Sequence, residues 1–281
     1  MSQFILPPAG AIYRSLSRLI EEADLVFFAG LPGVGKSLLL QQMSLMALAT
    51  GRPVTLLQWD VARQPFERPR YPLSQGATHP LVIRATGLWL RRALVEWHAN
   101  APSSGGMLIG EAPLIGGRLM EVARPADDDA EAILRDGRTQ FVLPAPSIRV
   151  RALIEARRAH SIARPQHENE AHDAPPDLLR ALWADLVQVA AALGLAEAAA
   201  QDAPYSPEIY TAVYRHLLRR RHVQTLRIDQ DLQPTASVYA LDEDLPNLQA
   251  RTDQATEILE ALEASMTLAQ VMAAAEKWYE V

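Results

Sequence analysis

The run Gly30-Leu31-Pro32-Gly33-Val34-Gly35-Lys36-Ser37 constrains this chain more than any other feature, because it meets the pattern G-x-x-x-x-G-K-[ST] at every fixed position. Its flanks narrow the fold further. Leu25-Val26-Phe27-Phe28-Ala29 is a short continuous apolar run of the kind buried on both faces of a parallel sheet, and Ser37 to Ala49 reads as a helix. Strand, glycine turn and helix in that order open an α/β unit. Glycines let the backbone curl until successive N–H groups point inward, and the helix N-terminus adds partial positive charge, so a polyphosphate is held chiefly by main-chain donors. In such a turn Lys36 reaches the β- and γ-phosphates and the Ser37 hydroxyl ligates Mg²⁺, with Leu38 completing the nucleotide-binding set at the head of the helix.

The chain around this turn alternates apolar runs with helical periodicity. Residues 9 to 22 place Ile12, Leu16, Leu19 and Ile20 on one stripe of a helix expected beside the first strand. Gly51-Arg52-Pro53 ends the helix after the turn, and Val54 to Asp60 reads as a second buried strand with Asp60 at its carboxyl end. Ligands of open α/β sheets bind beyond the carboxyl ends of strands, so Asp60 is a candidate general base or magnesium-shell ligand; the same residue type also opens turns and caps helices. Val61 to Pro80 carries Pro65, Pro69, Pro72 and Pro80 beside Arg63, Arg68, Arg70, Phe66 and Tyr71, and predicts a long loop without regular structure that could cover an acceptor. A helix over 81–98 and a turn over 102–106 lead to Met107 to Glu111, a third strand whose terminal acid, Glu111, is a candidate magnesium-shell ligand beside Ser37. Arg118, at the end of the glycine-bearing run that follows, is a candidate contact to substrate or phosphate. Asp127 to Asp136 reads as a short acidic helix with a solvated face.

Thr139 to Pro144 reads as a fourth strand closed by Pro144 and Pro146. The helix that starts at Ser147 carries Arg149, Arg151, Arg157 and Arg158, and Arg164 follows in the loop Ser161 to Pro176. Arg157, Arg158 and Arg164 suit a lid over about 157–176 that folds onto a triphosphate, excludes water and brings guanidinium groups to the transferring phosphoryl. Helices over 177–193 and 207–221 follow, the latter ending in Arg219-Arg220-Arg221-His222, whose charge complements the helix dipole. A fifth strand over 223–229, a loop over 230–236 near the nucleotide base, and two helices over 251–264 and 267–279 with Thr267 as a cap complete the chain.

Composition bounds what such a chain does. With 281 residues and 49 % hydrophobic content, one α/β core with appendages accommodates residues 1–281. The absence of cysteine excludes disulfides, thiolate metal sites and thiol catalysis, and favours the cytoplasm. No basic, apolar leader and no stretch of about 18 apolar residues occurs, so neither an export signal nor a membrane span is expected. A net charge of −6 argues against sequence-independent binding to nucleic acid or to an anionic membrane. His160, His167 and His172 straddle the expected lid without a metal-binding spacing and read as solvated loop residues.

A phosphate-binding turn after the first strand, acids ending the second and third, and an arginine-bearing helix and loop after the fourth together resemble the P-loop kinases of nucleosides, nucleotides and other small metabolites, over about residues 24–230. The resemblance implies a three-layer fold with a five-stranded parallel sheet in the order 2-3-1-4-5, ATP with Mg²⁺ as donor, and transfer of the γ-phosphoryl to a small-molecule acceptor by a monomer or homodimer. It implies that Lys36 and Ser37 hold Mg·ATP, that Asp60 orients or deprotonates the acceptor hydroxyl, that Glu111 and Arg118 match the acid and arginine after the third strand, and that Arg157, Arg158 and Arg164 are lid arginines. Glu111 is followed by Ala112-Pro113 where deoxynucleoside kinases carry a Glu-Arg-Ser-type run, a departure that weighs against a nucleoside acceptor. A GTPase would need an Asn-Lys-x-Asp segment, and Lys277, the only other lysine, is followed by Trp278-Tyr279. A motor or regulatory ATPase driven by a macromolecular partner is the alternative reading, although Gly110-Glu111 offers one acid where such proteins usually carry Asp-Glu. A nucleotide-binding module that has lost turnover is the other.

Overall fold

A computed structural model describes residues 4–72, 77–100, 105–164, 167, 170, 174–197, 203–234, 237 and 245–281. The apolar runs form five strands, β1 (Leu25–Ala29), β2 (Val54–Leu57), β3 (Met107–Ala112), β4 (Thr139–Pro146) and β5 (Val223–Ile228), in the order β2-β3-β1-β4-β5. Every ladder between them is parallel, and β1 lies at the centre, with Leu25 opposite Leu108 on one side and Thr139 on the other. Parallel neighbours need crossovers, and helices supply them on both faces. Side chains alternate along β1 accordingly: Leu25, Phe27 and Ala29 enter the larger apolar cluster, Val26 and Phe28 the smaller one. The smaller cluster is closed by α1 (Ala11–Glu22), α2 (Lys36–Ala49) and Val150 of α6 (Ile148–Ala163). The larger gathers α3 (Trp59–Arg63), α4 (Pro80–Asn100), α5 (Asp129–Arg135), α7 (Pro176–Ala192), α8 (Pro207–Leu217), α9 (Thr252–Ser265) and α10 (Leu268–Glu276).

Three expectations change. First, β2 stops at Leu57, so Asp60 lies in the first turn of α3 rather than at a strand end, and a 3-10 turn, Gln64–Phe66, follows. Buried aromatics order this stretch despite its prolines: Trp59 and Phe66 are core residues, and the Phe66 ring lies 6.2 Å from that of Trp89. The part of the expected loop over 73–76 lies outside the described residues.

Second, β4 runs through both of its prolines to Pro146. Phe141 N donates to His222 O and Ser147 N to Ile228 O, so odd-numbered residues of β4 face β5 and even-numbered ones face β1. The β1 ladder ends at Val142, so the two missing N–H groups fall where no partner strand remains, and proline costs the sheet nothing there.

Third, the acidic helix faces solvent only in part: Asp127, Asp129 and Asp136 are exposed, whereas Glu131 turns inward. Asp128 caps α5, and Asp128 and Glu131 hold Arg91 at 2.5 and 3.0 Å, while Arg221 meets Glu131 at 2.8 Å. The Arg91 and Arg221 side chains are 4 % and 0 % exposed, so Arg221 is a buried ion-pair partner rather than a complement to a helix dipole. Helix periodicity cannot reveal partners 40 and 90 positions away.

The outer edge of β2 is covered by the chain near Asn247: Leu56 N donates to Pro246 O and Leu248 N to Leu56 O. Thr267 caps α10 as expected, accepting from Gln270 N at 3.3 Å. Among the described residues no single helix is long and apolar enough to cross a membrane; α9 and α10 reach that length only together, and they bend by 97° at their junction.

Candidate functional site

The glycine turn leaves β1 at the carboxyl edge of the sheet, where Gly30 N still donates to Ala112 O of β3 at 3.2 Å. Gly30, Gly33 and Gly35 have φ of +148°, +76° and +93°, values that L side chains rarely adopt. At Gly30 space is closed as well, because a Cβ would overlap the Tyr210 hydroxyl. Two buried tyrosines of α8 hold the backbone at the ends of two strands: Tyr210 Oη donates to Ala29 O, where the turn leaves β1, at 3.3 Å, and Tyr214 Oη donates to Pro113 O, just after β3, at 2.7 Å. Burial raises both phenols above their ordinary range, so they remain donors.

Arg151 holds the turn from the side of α6. Its Nη1 donates to Pro32 O at 2.8 Å, its Nε pairs with Glu155 at 2.7 Å, and its guanidinium sits 5.5 Å from the centre of the Tyr205 ring. Sequence reasoning placed Arg151 among several helix arginines and assigned it no part in the site. The four-residue spacing to Glu155 was the one signal, and that spacing is common on solvated helices.

Lys36 opens α2 and is only 7 % exposed, with Nζ donating to Leu31 O at 2.9 Å. Burial pushes its pKa down to about 8, against the opposing charge of Glu111 and with the help of Arg158 and Arg151. Among the described residues no carboxylate lies within ion-pair distance of Nζ. No side chain caps the first turn of α2, so its leading N–H groups stay open beside the turn. A Cβ at Gly35 would meet nothing nearer than Ile228 Cδ1 at 3.8 Å, so glycine here serves conformation rather than packing.

In front of these groups lies a cleft of about 1070 Å³. Pro32, Gly33, Gly35, Lys36, Ser37 and Leu38 line it, whereas Leu31 and Val34 turn their side chains into the core. Asp60, Glu111, Arg118, Arg157, Arg158 and Arg164 line it too, so the sequence-predicted side chains converge on one space. Asp60 is 71 % exposed and accepts from Arg63 Nε at 3.1 Å; Arg63 also pairs with Glu67. Glu111 Oε1 accepts from Trp59 N at 3.1 Å, joining the end of β3 to α3. Arg118 Nη1 donates to Ile115 O at 2.9 Å. Arg157 pairs with Asp231 and so ties α6 to the segment after β5. The expected lid is helical as far as Ala163, which puts His160 on α6 rather than in a loop; 165–166, 168–169 and 171–173, His172 included, lie outside the described residues.

These features fit a magnesium-bound polyphosphate. The buried ammonium, the open helix N-terminus and the positive-φ glycines together offer a cation and main-chain donors to an anion. Among the described residues no group of three or more acidic or histidine side chains is arranged to hold a metal. Magnesium on phosphates asks for less, one or two protein ligands, and Ser37 and Glu111 face the same cleft. Compared with known proteins, the chain matches no family model, no curated protein and no solved structure.

Proposed function

We propose that this chain is an ATP-dependent phosphotransferase of the P-loop kinase kind, moving the γ-phosphoryl of Mg·ATP to a hydroxyl of a small molecule. The observation that carries the reading is Lys36, an ammonium almost wholly removed from water, folded onto its own turn and lacking a carboxylate among the described residues. A buried cation of this kind is costly unless an anion completes it, and the turn around it is built of anion donors. Mg·ATP supplies the phosphoryl group and neutralises part of its charge. Lys36 holds phosphate oxygens, and Arg158 and Arg164, facing the same space, add positive charge where it develops. Asp60, at the open side of the cleft, aligns the acceptor hydroxyl and takes up its proton as the oxygen bonds to phosphorus. Ligand sites for one drug-sized molecule run to roughly 1,000 Å³. At about 1070 Å³ the cleft lies at the top of that range.

The test is ADP release from Mg·ATP across nucleosides, nucleotides, sugars, hydroxy acids, antibiotics and short peptides, beside Lys36→Ala and Asp60→Asn. Stimulation by one acceptor class, abolished by both substitutions, is the expected result. Basal hydrolysis that no small molecule stimulates and Asp60→Asn leaves intact would instead support an ATPase driven by a macromolecular partner.

A further inference from the structure

The acceptor side of the cleft holds a cation whose surroundings differ from those of its neighbours. Arg63 pairs with Asp60 and Glu67, Arg151 with Glu155, and Arg157 with Asp231. Arg118 has no carboxylate within ion-pair distance among the described residues; its one side-chain hydrogen bond to them is the 2.9 Å bond from Nη1 to the carbonyl of Ile115 in its own turn. The guanidinium is largely withdrawn from water, and that burial lowers its pKa, with the charge of Asp60 opposing. A cation so placed, lining a ligand-sized cleft with one hydrogen bond from Nη1 among the described residues, lacks its anion.

The loop that presents Arg118 is strained and fixed. Leu114 and Leu119, both fully buried, have φ of +59° and +60°, and Gly116 and Gly117 between them have φ of +63° and +86°. Non-glycine residues persist in this region only where their surroundings over-determine them. Here Leu114 N donates to Arg118 O at 2.9 Å, Tyr214 Oη holds Pro113 O, and the Trp278 side chain lies against Gly117. The guanidinium is therefore aimed by backbone geometry rather than by a protein counter-ion.

Resting on the phosphotransferase reading, we infer that the acceptor carries an oxyanion, a carboxylate or a phosphate, which Arg118 forks while Asp60 aligns the hydroxyl. Neutral nucleosides and neutral sugars leave this guanidinium unmatched and are poor acceptors.

The experiment is calorimetric titration of the full chain, saturated with Mg·ADP, using matched probes: glycerate and glycerol 3-phosphate against glycerol, and gluconate against glucitol. The anionic member of each pair should bind at least ~10-fold more tightly than the neutral one, the size expected for a charge-assisted hydrogen bond. Arg118→Met should erase that ratio, and Arg118→Lys should keep part of it, since lysine retains charge but not the fork. A purely structural role would alter both members of a pair alike and leave the ratio standing. Neutral probes binding as well as anionic ones, a ratio that survives in Arg118→Met, or no anionic probe binding would each overturn the inference. Whether glycerate or glycerol 3-phosphate gives the larger ratio tells carboxylate from phosphate. Mg·ADP binding, with Lys36→Ala as its control, tests the phosphotransferase reading separately, because the anion titration can also be run on ligand-free protein.

Discussion

Arg151 and Pro32 stand 119 positions apart in sequence and 2.8 Å apart in space, joined by a bond from the guanidinium to the turn's carbonyl. Arg151 belongs to the helix after β4, where it also pairs with Glu155, so this one bond ties that helix to the glycine turn after β1. Arg151→Met leaves Pro32 O and Glu155 without their donor and should cost about 3 kcal/mol in urea unfolding, the range for breaking a buried charged pair. It should also weaken Mg·ATP binding at least ~10-fold, with Arg151→Lys recovering part of both. Lost stability with unaltered nucleotide affinity would show that Arg151 supports α6 but does not set the turn.

Lys36 makes the ligand-free protein pH-dependent. Its pKa falls from 10.5 unfolded to about 8 folded, so below pH 8 the folded state carries the whole cost of the buried charge. That cost, on the order of 3 kcal/mol, is relieved as pH rises from 8 toward 10.5, where the unfolded state binds more protons. Lys36→Met should therefore melt higher than the parent at pH 7, and the difference should shrink by pH 9.5. Tyr210 and Tyr214 act in the opposite direction, because their raised pKa values remove stability once pH passes the ordinary tyrosine value of 10, which confines the comparison to lower pH. Nucleotide affinity should fall above pH 8 as the ammonium loses its proton. Equal melting of the two proteins at pH 7 would contradict the buried, charged state of Lys36.

Glu121, which does not line the cleft, is also buried, 8 % exposed, with Oε2 lacking a hydrogen bond and Arg84 and Arg124 no closer than 3.8 and 4.0 Å. Burial raises its pKa from 4.5 to about 6. A raised carboxyl contributes stability that is complete below pH 4.5 and is lost as pH passes 6, so at pH 7.5 the ionised group costs on the order of 2 kcal/mol. Glu121→Gln should stabilise the protein at pH 7.5 in chemical denaturation and make no difference at pH 4.5. A destabilised variant at pH 7.5 would mean the two arginines outweigh desolvation.

Gly30 and Tyr210 should couple. Gly30→Ala forces a Cβ onto the tyrosine hydroxyl and should destabilise by several kcal/mol. In a Tyr210→Phe background the overlapping atom is gone, so the same glycine substitution should cost about 1–2 kcal/mol less, read as the interaction term of a double-mutant cycle. Strict additivity would place the cost of Gly30→Ala in its φ alone.

The strands were legible because continuous apolar runs and a glycine turn are local signals, and β1 to β5 follow them within a few residues; the order β2-β3-β1-β4-β5 was expected only from the resemblance to P-loop kinases, since no local signal records which strands pair. Asp60 was misplaced onto a strand because the apolar pattern runs through Trp59, whose burial serves α3 rather than β2. The site's titratable side chains, Lys36, Asp60, Glu111 and Arg118, were legible because each lies at or just beyond the carboxyl end of a strand. Arg151, Tyr210 and the ion pairs of Arg91 and Arg221 were not, since the partners that matter lie 40 to 181 positions away and no periodicity records such pairings.

Pro144 and Pro146 give the sheet a frontier. With N–H groups at those positions, β4 could recruit the chain beyond Ala29 as two further rungs, pulling Gly30 to Pro32 straight. Proline removes that competing pairing, so the curled turn has no extended rival on that flank. The tip of β4 thereby acts as a stop for its neighbour, and the conformation of the glycine turn is protected by a strand that never touches the cleft.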